Sequence, residues 1–176
     1  MIKKYLMLFM IVSALLVGIV FFFSTNTTMI GEQLPDFTLE NERGELISSV
    51  DIPKPLVLFF YPKNDTPVCT KEACFFRDYF KEFERAGVTI YGISKDSIES
   101  HKIFLEKHSL PYGLLSDPKN KVRDLLKVKK FLGLIPARVT FIINKEGKII
   151  HIFDSPHKAE EHVLEALTAL GISKKD

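Results

Sequence analysis

Cys69 and Cys74 are the only thiols in a chain of 176 residues, and they stand five positions apart shortly after the apolar run Leu56 to Tyr61. Cys69 closes the stretch Pro62-Lys63-Asn64-Asp65-Thr66-Pro67-Val68, a polar turn rich in proline, at the place where a helix begins. Backbone N–H groups and the helix dipole favour negative charge there, so a thiolate forms more readily than on a free cysteine. Such a sulfur is a nucleophile. The alternative is a small residue packed near a helix start, since free cysteines are often buried and inert. Along an intact helix Cys74 is rotated by about 500° and displaced by about 7.5 Å, beyond the roughly 7 Å Cα separation that a disulfide spans. Either Cys74 is core packing, or oxidation requires the first turns of the helix to unravel. The spacing is not C-x-x-C, which disfavours a thioredoxin-type dithiol exchanger. Two cysteines with His101 and His108 also lack the paired short spacings of a zinc site.

The surrounding pattern supplies the elements that would hold these sulfurs. Leu56 to Tyr61, bounded by Pro55 and Pro62, reads as a strand buried on both faces. Phe76, Tyr79, Phe80 and Phe83 recur at helical spacing and predict a helix from Thr66-Pro67 to Ala86, stopped by Gly87. Val88 to Ile93 is a second buried strand, and Asp96 with Glu99 three residues later predicts a helix start for Ser97 to His108. Leu114-Leu115 is a short strand or turn, and Lys119 to Leu126 a short helix. Val139 to Ile143 and Lys148 to Phe153 flank the turn Asn144-Lys145-Glu146-Gly147 as a hairpin, and Pro156 to Leu170 forms the last helix. Phe37 to Leu39 and Leu46-Ile47 make a smaller hairpin at the front. A parallel portion followed by an antiparallel hairpin is the element order of a thioredoxin-like α/β fold, a central mixed sheet flanked by helices.

The first 28 residues differ from the rest. Tyr5 to Phe23 is apolar apart from Ser13 and Gly18, and nineteen residues at about 1.5 Å each reach about 28 Å, close to a bilayer core of about 30 Å. The segment lacks a small-x-small cleavage site, so an uncleaved transmembrane helix is expected, with a polar linker to Thr28 and a catalytic body at 29–176. Lys3 and Lys4 place the amino terminus in the cytoplasm and the body on the extracytoplasmic side. Those two lysines belong to the 24 basic residues, so the body carries 22 basic and 22 acidic residues and has no net formal charge. A body without a basic excess lacks the general attraction to phosphates that nucleic-acid binding requires.

The residues around Cys69 resemble a known family. Pro62, Thr66 and Cys69 match the peroxiredoxin pattern of Pro, three residues, Thr, two residues, Cys. The continuation Thr70-Lys71-Glu72-Ala73-Cys74 resembles the bacterioferritin comigratory protein or peroxiredoxin Q subgroup, AhpC/TSA-like. Similar stretches follow in order: Gly31 with Leu34 to Leu39, Gly92 to Ser97, Leu114 to Pro118, and Arg138 to Ile143. The resemblance implies that Cys69 is the peroxidatic cysteine, Cys74 its resolving partner, and Thr66, Arg138 and Pro62 the completion of the pocket. Glu72 matches a common family position where it could tune the network, although an exposed helix charge is an equal reading. The implied cycle is reduction of hydrogen peroxide or an organic hydroperoxide, an intramolecular disulfide, and recycling by a thioredoxin-like donor, with no cofactor or metal. The protein would act as a monomer or weak dimer.

Two departures stand out. Val68 takes a position where the subgroup often has glycine, and Ile135-Pro136-Ala137 before Arg138 is similar to the proline-bearing approach to the corresponding thioredoxin strand. A membrane-tethered thiol-disulfide oxidoreductase and a non-enzymatic redox-sensing domain are therefore the rival readings. Lys119, Lys121, Arg123, Lys127, Lys129 and Lys130, opposed only by Asp124, read as a solvated basic helix face. His101, His108, His151, His157 and His162 show no catalytic or metal spacing and are expected at surface or structural positions.

Overall fold

The computed structural model describes residues 29–131 and 135–173. Among the described residues nine strands run in chain order: β1 (Thr38–Asn41), β2 (Leu46–Ser48), β3 (Leu56–Phe60), β4 (Thr89–Ser94), β5 (Gly113–Ser116), β6 (Lys130–Phe131), β7 (Ile135–Pro136), β8 (Val139–Ile143) and β9 (Ile149–Asp154). Five helices of the described residues interleave with them: α1 (Pro67–Asp78), α2 (Phe80–Arg85), α3 (Ile98–His108), α4 (Lys121–Leu125) and α5 (Ala159–Ala169). Seven strands form one sheet in the order β2-β1-β5-β4-β3-β8-β9. The β3–β4 and β4–β5 pairs are parallel, and the remaining pairs are antiparallel. This is a thioredoxin-like α/β fold with a mixed sheet.

Strand β3 sits inside the sheet, and all five of its residues are buried, as its unbroken apolar run implies. Its period-2 alternation divides the core into two layers. Leu56, Leu58 and Phe60 face Phe141, Val122 and Leu126, while Val57, Phe59 and Tyr61 face Phe76, Phe83, Phe104 and Val163 from α1, α2, α3 and α5. Gly92 on β4 makes the second layer possible, because a Cβ there would lie 2.6 Å from the Phe59 ring. Phe59 in turn stacks on Phe76 of α1 at 4.5 Å between centroids. The helix that carries both cysteines is thus seated on the strand that precedes it.

Three local expectations are revised. The single helix expected to Ala86 breaks at Tyr79 (φ −97°, ψ 8°) into α1 and α2. The Tyr79 N–H still bonds the Phe75 carbonyl at 3.1 Å, and the Tyr112 hydroxyl donates to the Ala73 carbonyl at 2.7 Å, one turn earlier. At α3 the cap is Ser97, whose Oγ accepts from the Ser100 N–H; the Asp96 carboxylate turns instead to the loop before α1, accepting from the Asn64 N–H at 2.9 Å. The basic stretch is not a uniform solvated face, because Arg123 is 3% exposed and lies inside the fold.

The membrane expectation is also corrected. Among the described residues no helix is long and apolar enough to cross a membrane. The longest, α1, has 12 residues, about 18 Å of rise against a bilayer core of about 30 Å. The stretch Tyr5 to Phe23 lies outside the described residues. The fold class therefore stands without a transmembrane helix, and the single-pass, extracytoplasmic placement is withdrawn with it.

Candidate functional site

The chain leaves β3 at Tyr61 and enters α1 at Pro67 through a loop tied down from behind. The buried Tyr61 hydroxyl donates to Asn64 Oδ1 at 2.8 Å, the Asn64 side-chain amide donates to Ser100 Oγ at 2.9 Å, and its N–H reaches Asp96. Asp65 adopts the left-handed region at φ 57°, and its carboxylate meets Lys107 Nζ at 2.6 Å and His108 Nε2 at 3.4 Å. Pro62 is half-buried at the mouth of this loop. Thr66 is the N-cap residue in extended conformation, but its hydroxyl donates back to the Lys63 carbonyl at 3.1 Å and caps no helical N–H. The proline at N1 loses no ladder bond by lacking an N–H. The first intrahelical bond runs from the Thr70 N–H to the Thr66 carbonyl at 2.9 Å, so the Val68 and Cys69 N–H groups belong to the helix's positive end.

Cys69 is 2% exposed at this end of α1. Arg138, just before β8, donates from Nη2 to the Cys69 sulfur at 3.3 Å and from Nη1 to Glu72 Oε2, while its Nε faces the Pro156 carbonyl at 3.5 Å. Glu72, three residues after Cys69, lies on the same inward face of the helix and is fully buried. The second reading of Glu72, an exposed helix charge, does not hold. Antiparallel pairing of Phe60 with Val139 aligns the two segments and delivers Arg138 beside the loop.

Burial raises the Glu72 carboxyl to about 7, although the Arg138 guanidinium opposes the shift. For Arg138 burial works against the charge, but Glu72 and Cys69 outweigh it and hold the guanidinium above its usual value. His162 of α5 approaches the other side of the pair, with Nδ1 at 3.5 Å from Glu72 Oε1. Its ring is fully buried, bonded to Thr140 Oγ1 at 2.7 Å through Nδ1 and to the Ser155 carbonyl at 2.9 Å through Nε2. Burial, aided by the Arg138 charge, lowers this imidazole to about 4 against the pull of the Ser155 carbonyl.

The fold therefore brings Cys69, Glu72 and Arg138 into contact and keeps Thr66 and Pro62 in the adjoining loop. It does not bring Cys74 to Cys69. Both cysteines are free, and Cys74 is half-buried on another face of α1, lining a groove of about 420 Å³ with Lys71, Phe75, Asp78, His157 and Glu160. His162 and Thr140 are the members that sequence reasoning missed. A signal for His162 existed: Ala159, Val163 and Ala166 share its helical stripe, which marks a buried face. Among the described residues no group of three or more His, Cys, Asp or Glu side chains could hold a metal.

Residues 30–152 match the AhpC/TSA family. The chain belongs to that family. It is 42% identical over 142 residues to the chloroplastic peroxiredoxin Q of Sedum lineare, a match covering 80% of this chain and 76% of the relative. The crystal structure of peroxidoxin BcpB from Mycobacterium tuberculosis superposes with a TM-score of 0.75 at 34% identity, covering 84% of this chain and 99% of that one. The Xanthomonas campestris bacterioferritin comigratory protein, whose trapped-intermediate and ligand complexes concern its alkyl peroxide reduction activity, superposes with a TM-score of 0.67 at 30% identity over 76% of this chain and 90% of that one. The expected kinship with peroxiredoxin Q and the bacterioferritin comigratory proteins is borne out.

Proposed function

We propose that the protein is a thiol-dependent peroxidase that reduces hydrogen peroxide and organic hydroperoxides at Cys69. The observation that carries this reading is the Arg138 guanidinium, oriented by Glu72 and lying 3.3 Å from a buried sulfur at the positive end of a helix. A cation held there stabilises the thiolate and the oxygen charge that develops as the O–O bond breaks. The Cys69 thiolate attacks one peroxide oxygen, the O–O bond breaks, and the departing oxygen takes up a proton to leave as water or alcohol, so Cys69 becomes a sulfenic acid. The Thr66 hydroxyl can leave the Lys63 carbonyl to hold a peroxide oxygen, and Pro62 screens the sulfur from bulk water.

Cys74 is the resolving thiol. It condenses with the sulfenic acid, releasing water and forming the disulfide, after the first turns of α1 loosen; five residues of intact helix separate the two sulfurs by too much for a bond. A thioredoxin-type dithiol then reduces the disulfide by exchange through the half-exposed Cys74 side.

Stopped-flow peroxide consumption tests the cycle. The intact chain should react orders of magnitude faster than a free thiol, Cys69→Ser should abolish the reaction, and Cys74→Ser should give one fast oxidation and then stall as sulfenic acid. A chain that reduces insulin disulfides while leaving peroxide untouched would be an exchanger instead.

A further inference from the structure

Glu72 presents an imbalance that the proposed cycle does not use. Its Oε2 takes the Arg138 guanidinium, yet Oε1, buried as deeply, accepts no hydrogen bond among the described residues. His162 Nδ1 stands 3.5 Å from it. The tautomer of that ring follows from its other contacts. The Ser155 carbonyl can only accept, so Nε2 carries a hydrogen. Nδ1 either receives the Thr140 hydroxyl hydrogen or, when protonated, gives its own to Thr140 and Glu72. A proton on Nδ1 or on Oε1 turns the 3.5 Å approach into an attractive contact; with neither, a carboxylate oxygen faces a nitrogen lone pair in the interior.

Charge balance points the same way. The charged groups that face His162 are Glu72 from α1 and Arg138 from the segment entering β8, and Arg138 in turn holds the Cys69 sulfur. From β9 the Phe153 ring covers it edge-on at 4.7 Å, and the nearby His151–Glu165 pair makes its own contact at 3.0 Å on the exposed side. When Cys69 is a thiolate and Glu72 a bare carboxylate, two anions compete for one guanidinium, leaving a net negative charge in a buried site. One proton shared by Glu72 and His162 makes the cluster neutral. The upward shift of Glu72 and the downward shift of His162 are consistent with that proton residing mainly on the carboxyl.

We propose that His162 is a positioning residue for Cys69: it shares one proton with Glu72, so that Glu72 orients Arg138 without taking its charge away from the sulfur. The proposal rests on the reading of Cys69 as the reacting thiol, but its test uses no peroxide.

In a Cys74→Ser background, the rate of Cys69 alkylation by iodoacetamide is followed against pH. Two inflections are expected, one from the thiol and one from the Glu72–His162 couple. His162→Gln cannot carry the shared proton, and its amide donor favours the Glu72 anion without abolishing the carboxyl's own titration. The thiol inflection should move upward by about one pH unit, which is about tenfold slower alkylation on its acid side, while that of Glu72 moves downward. In a Glu72→Gln background, where no anion competes, His162→Gln should add no displacement. An equal displacement in both backgrounds would make His162 merely structural, and no displacement in either would also overturn the proposal. A second readout needs no variant: the imidazole nitrogen resonances of His162 should move as Cys69 ionises, and resonances that stay flat through that range would contradict the shared proton. Because alkylation is independent of turnover, loss of peroxidase activity alone leaves this result intact, and the reverse holds too.

Discussion

Two arginines, each 3% exposed, flank the carboxyl end of β3 and are used in opposite ways. Arg138 meets the Glu72 carboxyl group and the Cys69 sulfur, and they keep its charge in place against burial. Arg123 meets neutral groups: it donates from Nη1 to the Ala137 carbonyl at 3.0 Å, from Nη2 to the Tyr61 carbonyl at 3.3 Å, and lies 5.4 Å above the Phe60 ring. Burial lowers Arg123 to about 10, with Asp117 and Asp124 only partly offsetting it. The first arginine directs its charge at the Cys69 sulfur. The second is a brace, and the residues it joins are informative. Tyr61 precedes Pro62 and Ala137 precedes Arg138, so Arg123 fixes the spacing between the loop that carries the thiol and the segment that carries its cation. A buried cation can serve chemistry or geometry, and its partners decide which.

Variants at the two sites should separate these roles. Arg138→Met should slow the reaction with peroxide about 10²- to 10³-fold, the size of losing one preorganised electrostatic donor. It should also lower stability by about 1–3 kcal/mol, read from urea unfolding, because it leaves buried polar atoms of Glu72 without their partner. Arg123→Met should cost about 2–4 kcal/mol through two lost hydrogen bonds and the ring contact, while slowing the peroxide reaction by less than the Arg138 change. Equal kinetic losses at the two positions would erase the distinction. The smallest effect is expected for Asp117→Asn, whose carboxylate caps α4 by accepting from the Lys121, Val122 and Arg123 N–H groups at 2.8–3.1 Å. About 1 kcal/mol of stability should be lost with no change in peroxide kinetics. A large kinetic effect there would mean that Asp117 acts on the Arg123 charge itself.

Much of this arrangement was legible in the order of residues. The buried strand Leu56 to Phe60 announced itself by an unbroken apolar run, and the hairpin of β8 and β9 by its polar turn. Cys69 was marked by a polar, proline-bearing turn ahead of a helix start. These are local patterns, set by which side chains recur over a few positions, and they survive in any context that lets the strand and helix form. The helix break at Tyr79 was not legible, because the apolar spacing of Phe76, Tyr79, Phe80 and Phe83 continues across it.

Distance along the chain separates what could be read from what could not at the site. Composition and spacing determined that a cysteine sits at a helix start and that an arginine enters a late strand. Only the tertiary structure decided that Glu72 turns inward, that Arg123 leaves the basic stretch for the interior, and that His162 closes the cluster, because each depends on partners brought from 14 to 66 residues away by sheet pairing and helix packing. A charged or titratable side chain carries no mark of its own burial. Whether water or a counter-charge surrounds it is settled by the neighbours the fold supplies, and those neighbours set its protonation.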